Sequence, residues 1–265
     1  MHPHDKIYNV SQYMPAAYDT YDYPAYWAGR EYEHESEIIA LKELLNKIPK
    51  IEKLLDLGCG YGRLTPAYQF RSKKIVLVDP SASLLKMARK NYKIKNIQII
   101  QSKIESLQGK IRADSVDLIL LVRVVHHIEN VDLVLKHINN FLKKGGFIIL
   151  EYANKRHFKA MVKEFLHGNF TFSLDIFPKS VKSKKRKKTL PFLNYHPDKI
   201  TELIRNNGFK IIEERSVSNI RSPYVKRLLP LELLLSMEKK FQGVLSKIHF
   251  GPSIFILAQK EDVPT

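Results

Sequence analysis

Between residues 51 and 151, short apolar runs alternate with amphipathic stretches, the pattern of a parallel sheet wrapped by helices. The apolar runs predict strands over 53–57, 75–79, 97–101, 116–122 and 147–152. Helices fit between them at 64–70, 83–92 and 131–142, the last closed by Gly145-Gly146 as a helix stop. Ahead of the first strand, Ile38, Leu41, Leu44, Leu45 and Ile48 recur at helical spacing and predict an outer helix over 33–48. The pattern changes after the fifth strand. A helix over 156–167 gives way to an irregular stretch that runs to Tyr195 and contains Pro178 and Pro191. A helix at 197–207 and a strand at 209–217 then resume, joined through Gly208. A largely helical section over 224–248, interrupted by Pro230, precedes a last apolar strand at 253–258. The expected fold class is an α/β doubly wound domain, with insertions at about 155–195 and 220–250.

Length allows one large domain or two small ones, at about 150 residues per domain. With 44% hydrophobic and 27% charged residues, the chain has the composition of an ordinary globular protein and lies far from the disordered class. Cys59 is the sole cysteine, which excludes a disulfide scaffold and suits a reducing compartment. No apolar run approaches the roughly 18–20 residues of a membrane-spanning helix. The start Met1-His2-Pro3-His4-Asp5 has neither the charge nor the apolar core of a signal peptide. A cytoplasmic protein without a transmembrane segment is expected.

Charge alters this picture in one place. The formal charge is +17, and seven of the positive charges fall within the decapeptide 179–188. The rest of the excess is spread along the chain, so the high pI by itself argues little for a nucleic-acid-binding face.

Candidate chemistry begins at Leu54-Leu55-Asp56-Leu57-Gly58-Cys59-Gly60-Tyr61-Gly62-Arg63, three glycines between a strand and a helix. Glycine there allows the turn and a close backbone approach to a ligand, while the helix N-terminus favours negative charge. A dinucleotide fingerprint needs its third glycine one residue later, where Arg63 stands, and this weakens a nicotinamide reading. The second landmark is Asp79, which ends the second strand in Val76-Leu77-Val78-Asp79-Pro80. A carboxylate at that place can accept hydrogen bonds from both hydroxyls of a ribose lying across the strand ends.

These residues resemble the class I S-adenosylmethionine-dependent methyltransferases. The resemblance runs from about residue 51 to 153 and includes Val116-Asp117-Leu118-Ile119, Val124-Val125-His126-His127-Ile128 and Leu142-Lys143-Lys144-Gly145-Gly146. It implies a mostly parallel, seven-stranded, Rossmann-like sheet with helices on both faces, and S-adenosyl-L-methionine as cofactor. By the same resemblance Gly58, Gly60 and Gly62 pass beneath the methionine part of the cofactor, Asp79 binds its ribose and Asp56 shapes the loop. Cys59, Pro80 and Arg123, which adjoin these motifs, are counted with the cofactor-binding positions. Where the family often has an acidic residue near the adenine, this chain has Lys103. Ammonium cannot accept a hydrogen bond, which leaves adenine to backbone groups and Ile104, or to Glu105.

His126 and His127 follow the fourth strand, where the family's methyl acceptor approaches. Either is a candidate base for an acceptor hydroxyl, or a packing residue that shapes the pocket. No cysteine or close carboxylate pair completes a metal set around them, so no metal is expected. Residues 1–32 are rich in aromatics, among them Tyr18, Tyr21, Tyr23, Tyr26, Trp27 and Tyr32, and are expected to cover the site of a methyltransferase domain at 33–265. Arg30, within that segment, could meet the cofactor's carboxylate or belong to simple surface packing. The apolar stretch Leu228, Leu229, Leu231, Leu233, Leu234, Leu235 and Met237 is expected to pack on the chain's own core, although a dimer face or a membrane-surface helix also fits it. The expected activity is methylation of a small molecule, with the oligomeric state open. Two alternatives stand beside it: an RNA or protein methyltransferase docking through 179–188, and a non-catalytic cofactor-binding or membrane-associated adaptor. The chain contains no Asn/Asp-Pro-Pro-Tyr tetrapeptide, which argues against the amino-directed nucleic-acid enzymes that carry one.

Overall fold

The computed structural model describes residues 19, 22–92, 95–180 and 192–261. Its centre is a seven-stranded sheet built from β1 (Ile51–Leu57), β2 (Ser72–Asp79), β3 (Ile97–Gln101), β4 (Val116–Leu121), β5 (Leu142–Ala153), β8 (Phe209–Val217) and β9 (Ser253–Lys260). The order is β3-β2-β1-β4-β5-β9-β8, with β9 antiparallel to both of its neighbours and the other pairs parallel. A separate pair, β6 (Lys179–Ser180) and β7 (Leu193–Asn194), is antiparallel. The chain therefore winds outward from β1 to β3 and returns to β4 on the other side of β1. That reversal opens a crevice at the carboxyl ends of β1 and β4, where open sheets bind ligands.

The strands are continuous apolar runs because both faces are covered. Leu55, Leu57, Val76, Val78, Ile119 and Leu121 share one core with α5 (Val131–Phe141) and α7 (Pro197–Asn206). Their alternate neighbours Leu54, Ile75, Leu77, Leu118 and Leu120 point into a second core under α2 (Glu31–Leu45), α3 (Thr65–Tyr68) and α4 (Ala82–Asn91). Helix starts follow local chemistry. Ser81 and Asn130 each accept a backbone N–H of the first turn of α4 and α5 through their side chains. The remaining helices are α1 (Tyr23–Tyr26), α6 (Phe158–Leu166), α8 (Pro223–Leu228) and α9 (Leu231–Ser246).

Two expectations are corrected. Gly145-Gly146 is no helix stop: α5 ends at Phe141 and the glycines lie inside β5, where Gly145 takes φ 68° and its carbonyl accepts Gln259 Nε2 at 3.0 Å. The apolar stretch 228–237 is only partly packed on the core. In α9 the buried residues are Leu234, Glu238, Gln242 and Ser246, whereas Leu228 of α8 is 80% exposed. The buried face of α9 is polar because Glu238 serves as an anchor. Its carboxylate accepts the Tyr32 hydroxyl of α2 at 2.5 Å and the Ser218 N–H at 2.7 Å. Burial is the main cause that raises the Glu238 pKa.

Candidate cofactor and active site

The glycine loop is held on its strand neighbour. Gly58 and Cys59 N–H both donate to the Val78 carbonyl, at 2.8 and 3.1 Å. Two glycines there are required by space as well as by backbone. At Gly58 (φ 74°) a Cβ would stand 2.3 Å from Val124 Cγ2, and at Gly62 (φ 82°) it would stand 2.4 Å from the Tyr92 ring. Gly60 differs, since its nearest neighbours would be Leu84 and Tyr23 at 3.8 Å. Its N–H donates to Asp79 Oδ2 at 2.9 Å, and Asp79 Oδ1 accepts the Ser81 N–H at 2.8 Å. Asp79 is buried at the end of β2, and burial is the first cause that pushes its carboxyl up to about 6, against which the Ser81 and Gly60 amides act. A carboxylate accepts at about four lone-pair positions, so two such bonds leave acceptor capacity for hydroxyl donors.

Beneath the loop, Asp56 receives the Tyr68 hydroxyl, which also contacts Thr65 at 3.0 Å. Burial lifts the Asp56 carboxyl to about 7. Asp56 is thus a buttress of the turn. The Cys59 thiol is pushed well up by burial first and by Asp56 next, which keeps it protonated. Past the ends of β2 and β3, Pro80 is exposed, Ser102 N–H donates to the Asp79 carbonyl at 3.1 Å, Lys103 is exposed and Ile104 packs on the core.

Over this floor stands α1. Tyr23 packs edge-on against Tyr61 of the loop, with ring centroids 6.1 Å apart. Asp19 accepts the Ser81 hydroxyl at 2.5 Å and the Ser83 N–H at 3.2 Å, fastening the start of the segment to the cap of α4. A charge cluster holds the rest. Arg63 pairs with buried Glu37 of α2 and lies 3.6 Å from the Trp27 ring centroid. Arg123 takes φ 64°, its N–H donates to Glu151 Oε2 at 2.9 Å, and its guanidinium donates to the Tyr26 hydroxyl at 3.0 Å and approaches Glu37 at 3.6 Å. Glu151 also accepts the Ser253 hydroxyl at 2.6 Å. Two arginines thus face two buried carboxylates beneath the aromatic cover. Arg30 lies apart from this cluster, exposed and 4.3 Å from the Tyr26 ring centroid. Inside the cover, the Trp27 Nε1–H is buried and has no hydrogen-bond partner among the described residues. A buried donor without an acceptor is costly, so it fits the carboxylate end of a cofactor.

His126 and His127 sit on a 3-10 turn, Val125–His127, that follows β4. Their rings are 4.1 Å apart, and the Phe192 ring lies tilted against His126 at 4.4 Å and meets His127 edge-on at 5.9 Å. His126 is buried and His127 half-buried. Of the basic run, Lys179 donates to Glu164 at 2.8 Å, and 181–188 lies outside the described residues, as do Tyr18 and Tyr21. Glu37, Arg63, Glu151, Asp19 and Phe192 were not singled out by sequence. Glu37 sits in a helix whose apolar spacing drew attention elsewhere, and Glu151 interrupts the apolar run of β5, the one signal that could have marked it.

A family model described as "Methyltransferase domain" matches residues 55–150. A curated relative, (S)-coclaurine N-methyltransferase of Thalictrum flavum subsp. glaucum, is 26% identical over 45% of this chain and 35% of its own length. A Bradyrhizobium protein, ubiquinone biosynthesis O-methyltransferase, is 26% identical over 66% of this chain and 64% of its own. The chain thus spans less than two thirds of either relative. A SAM-dependent methyltransferase structure from Thermotoga maritima superposes with a TM-score of 0.57 at 16% identity, covering 92% of this chain and 98% of that one. One from Mesorhizobium loti gives 0.54 at 14% identity, covering 82% and 95%. The fold is therefore that of the Rossmann-like methyltransferases, as the resemblance implied. Residues 55–150 thus carry a methyltransferase domain, and the fold around them is one shared with SAM-dependent methyltransferases.

Proposed function

We propose that the protein methylates a small molecule in the cytoplasm, using S-adenosyl-L-methionine. The observation that carries this reading is Asp79, a buried carboxylate at the end of β2 beside the switch point between β1 and β4, fixed by the Gly60 and Ser81 amides with acceptor capacity to spare. The cofactor, when bound, supplies a methyl group already activated by its sulfonium. What remains for the chain is to hold, orient and desolvate. Asp79 takes the ribose hydroxyls, Gly58, Cys59, Gly60 and Gly62 give the backbone floor, and Pro80, Lys103 and Ile104 border the adenine. Trp27 Nε1–H, with the charge of Arg123 behind it, meets the carboxylate end; Arg30 could join it only by leaving Tyr26. Tyr23 and Trp27 exclude water from above. His127 takes the proton of an acceptor hydroxyl, and His126, buried between His127 and Phe192, positions it. A small acceptor suits the relatives, one named for coclaurine and one for ubiquinone biosynthesis. Incubation with methyl-labelled cofactor and panels of phenols, amines and RNA tests the reading. Label is expected in a phenol or amine; label in RNA alone, or in none of the three, contradicts it.

A further inference from the structure

On the carboxyl edge of the sheet, beyond β5 as seen from the glycine loop, α6 leans over the place where β5 ends and β9 begins. Asn154 Nδ2 donates to the His249 and Gly251 carbonyls at 2.6 and 2.8 Å, and Phe158 N–H donates to the Phe250 carbonyl at 2.9 Å. The Phe158 and Phe250 rings stack at 5.0 Å. Between α6 and the segment that leads into α8 lies a groove of about 680 Å³, the size of a small-molecule site. Phe158, Val162 and Leu166, one stripe of α6, form one wall, and Ile220, Pro223 and Phe250 form the other. None of the nine residues of α6 is buried, so apart from the Phe158–Phe250 stack its apolar stripe stays largely exposed.

The charge around the groove has one sign. Lys159, Lys163 and Arg221 line it, and among the described residues no Asp or Glu does. None of the three cations enters an ion pair among the described residues, whereas the neighbouring Lys155, Lys179 and Lys226 each do. His157 at the groove's end registers the field: burial first, then Arg221 and Lys159, lower its pKa to about 4. An apolar trough with uncompensated cations at its rim matches a ligand with an apolar tail and an anionic head.

We propose that the groove between α6 and α8 binds an anionic amphiphile, its tail along Phe158, Val162 and Leu166 and its carboxylate or phosphate at Lys159, Lys163 and Arg221. The site is separate from the glycine loop and does not depend on the methyl-transfer reading.

Calorimetric titration of the full chain with decanoate, decyl phosphate, decanol and decyltrimethylammonium tests the proposal. The two anions are expected to bind with one site and to weaken with salt, and their relative affinities identify the preferred head. Lys159→Ala and Lys163→Ala are each expected to weaken the anions roughly two- to fivefold, the measure of an exposed ion pair. Val162→Trp, at a position 41% exposed, fills the trough and should abolish binding while far-ultraviolet circular dichroism stays unchanged. Equal binding of the cationic or neutral decyl compound, or undiminished binding by Val162→Trp, overturns the proposal. So does binding only to phosphatidylserine vesicles and to no monomeric amphiphile. A change from dimer to monomer in sedimentation on Val162→Trp also overturns it, because the groove would then be covered by a second copy.

Discussion

The cofactor half and the half beyond β5 are built on opposite terms. From β1 to β4 nearly every polar group near the crevice has a partner, Asp56 with Tyr68, Asp79 with two amides, Glu37 with Arg63. Beyond β5, α6 buries none of its residues, and Phe165, Leu174 and Leu228 are 62%, 76% and 80% exposed. The first half suits a polar ligand, for which donors and acceptors must stand at set places. The second leaves an apolar groove open to solvent among the described residues. Partnered carboxylates around the crevice and exposed apolar side chains along α6 and α8 mark the difference, although Glu238 of α9 is also buried.

The comparison is broken most strongly at His127. If it is the base, His127→Ala lowers kcat about 10²- to 10⁴-fold with cofactor affinity unchanged; an unchanged kcat with an identified acceptor that must lose a proton removes the role. Next comes the loop. Gly62→Ala forces a left-handed alanine against Tyr92 and is expected to cost roughly 2–4 kcal/mol in urea unfolding, the sum of backbone strain and overpacking. A cost below about 0.5 kcal/mol would mean that the loop is not tight.

A smaller effect comes from pH. Asp79 in the fold holds its proton up to about 6, above the usual 3.8, chiefly through burial. The folded chain therefore binds more protons than the unfolded one between these values. This group's contribution to stability is full below the usual carboxylate pKa and is lost as pH rises through about 6. Cofactor binding has the opposite sign, because ribose hydroxyls need the ionised acceptor. Affinity should fall as pH drops below about 6, by up to about tenfold per unit, and Asp79→Asn should flatten that dependence. Affinity that is level from pH 7 to 5 contradicts the assignment. The smallest effect lies on the other side of β5. Leu174→Ser and Leu228→Ser should each change unfolding free energy by no more than about 0.5 kcal/mol. A loss of several kcal/mol would show that these side chains are packed.

The cofactor half was legible because its signals are local. Gly58 to Gly62 follow one another, Asp79 ends the next strand, and the cores on both faces leave continuous apolar runs such as Leu118 to Val122. The cluster of Glu37, Arg63, Arg123 and Glu151 was not, since its members meet only after α2, the glycine loop, β4 and β5 are assembled. Gly145-Gly146 misled because a glycine pair after a helix reads as a stop, whereas here it lies inside a strand whose pairing with β4 shifts register. In α9 the apolar residues were visible and their direction was not: Glu238, bonded to Tyr32 and to the Ser218 amide, turns the polar face inward.

The central claim, that Asp79 and the glycine loop hold S-adenosyl-L-methionine, is tested most directly by titrating the cofactor against the wild-type chain and Asp79→Ala. Trp27 is the chain's sole tryptophan and sits in the cover, so its fluorescence reports binding. Hydrogen bonds to a charged group are worth about 1.5–3 kcal/mol, and about 1.4 kcal/mol is a tenfold change. The wild type should show a saturable change in Trp27 emission, and Asp79→Ala should need roughly ten- to a hundredfold more cofactor for the same change while keeping its fold. Equal affinities in the two proteins, or tight binding of NAD in place of the methyl donor, would contradict the account.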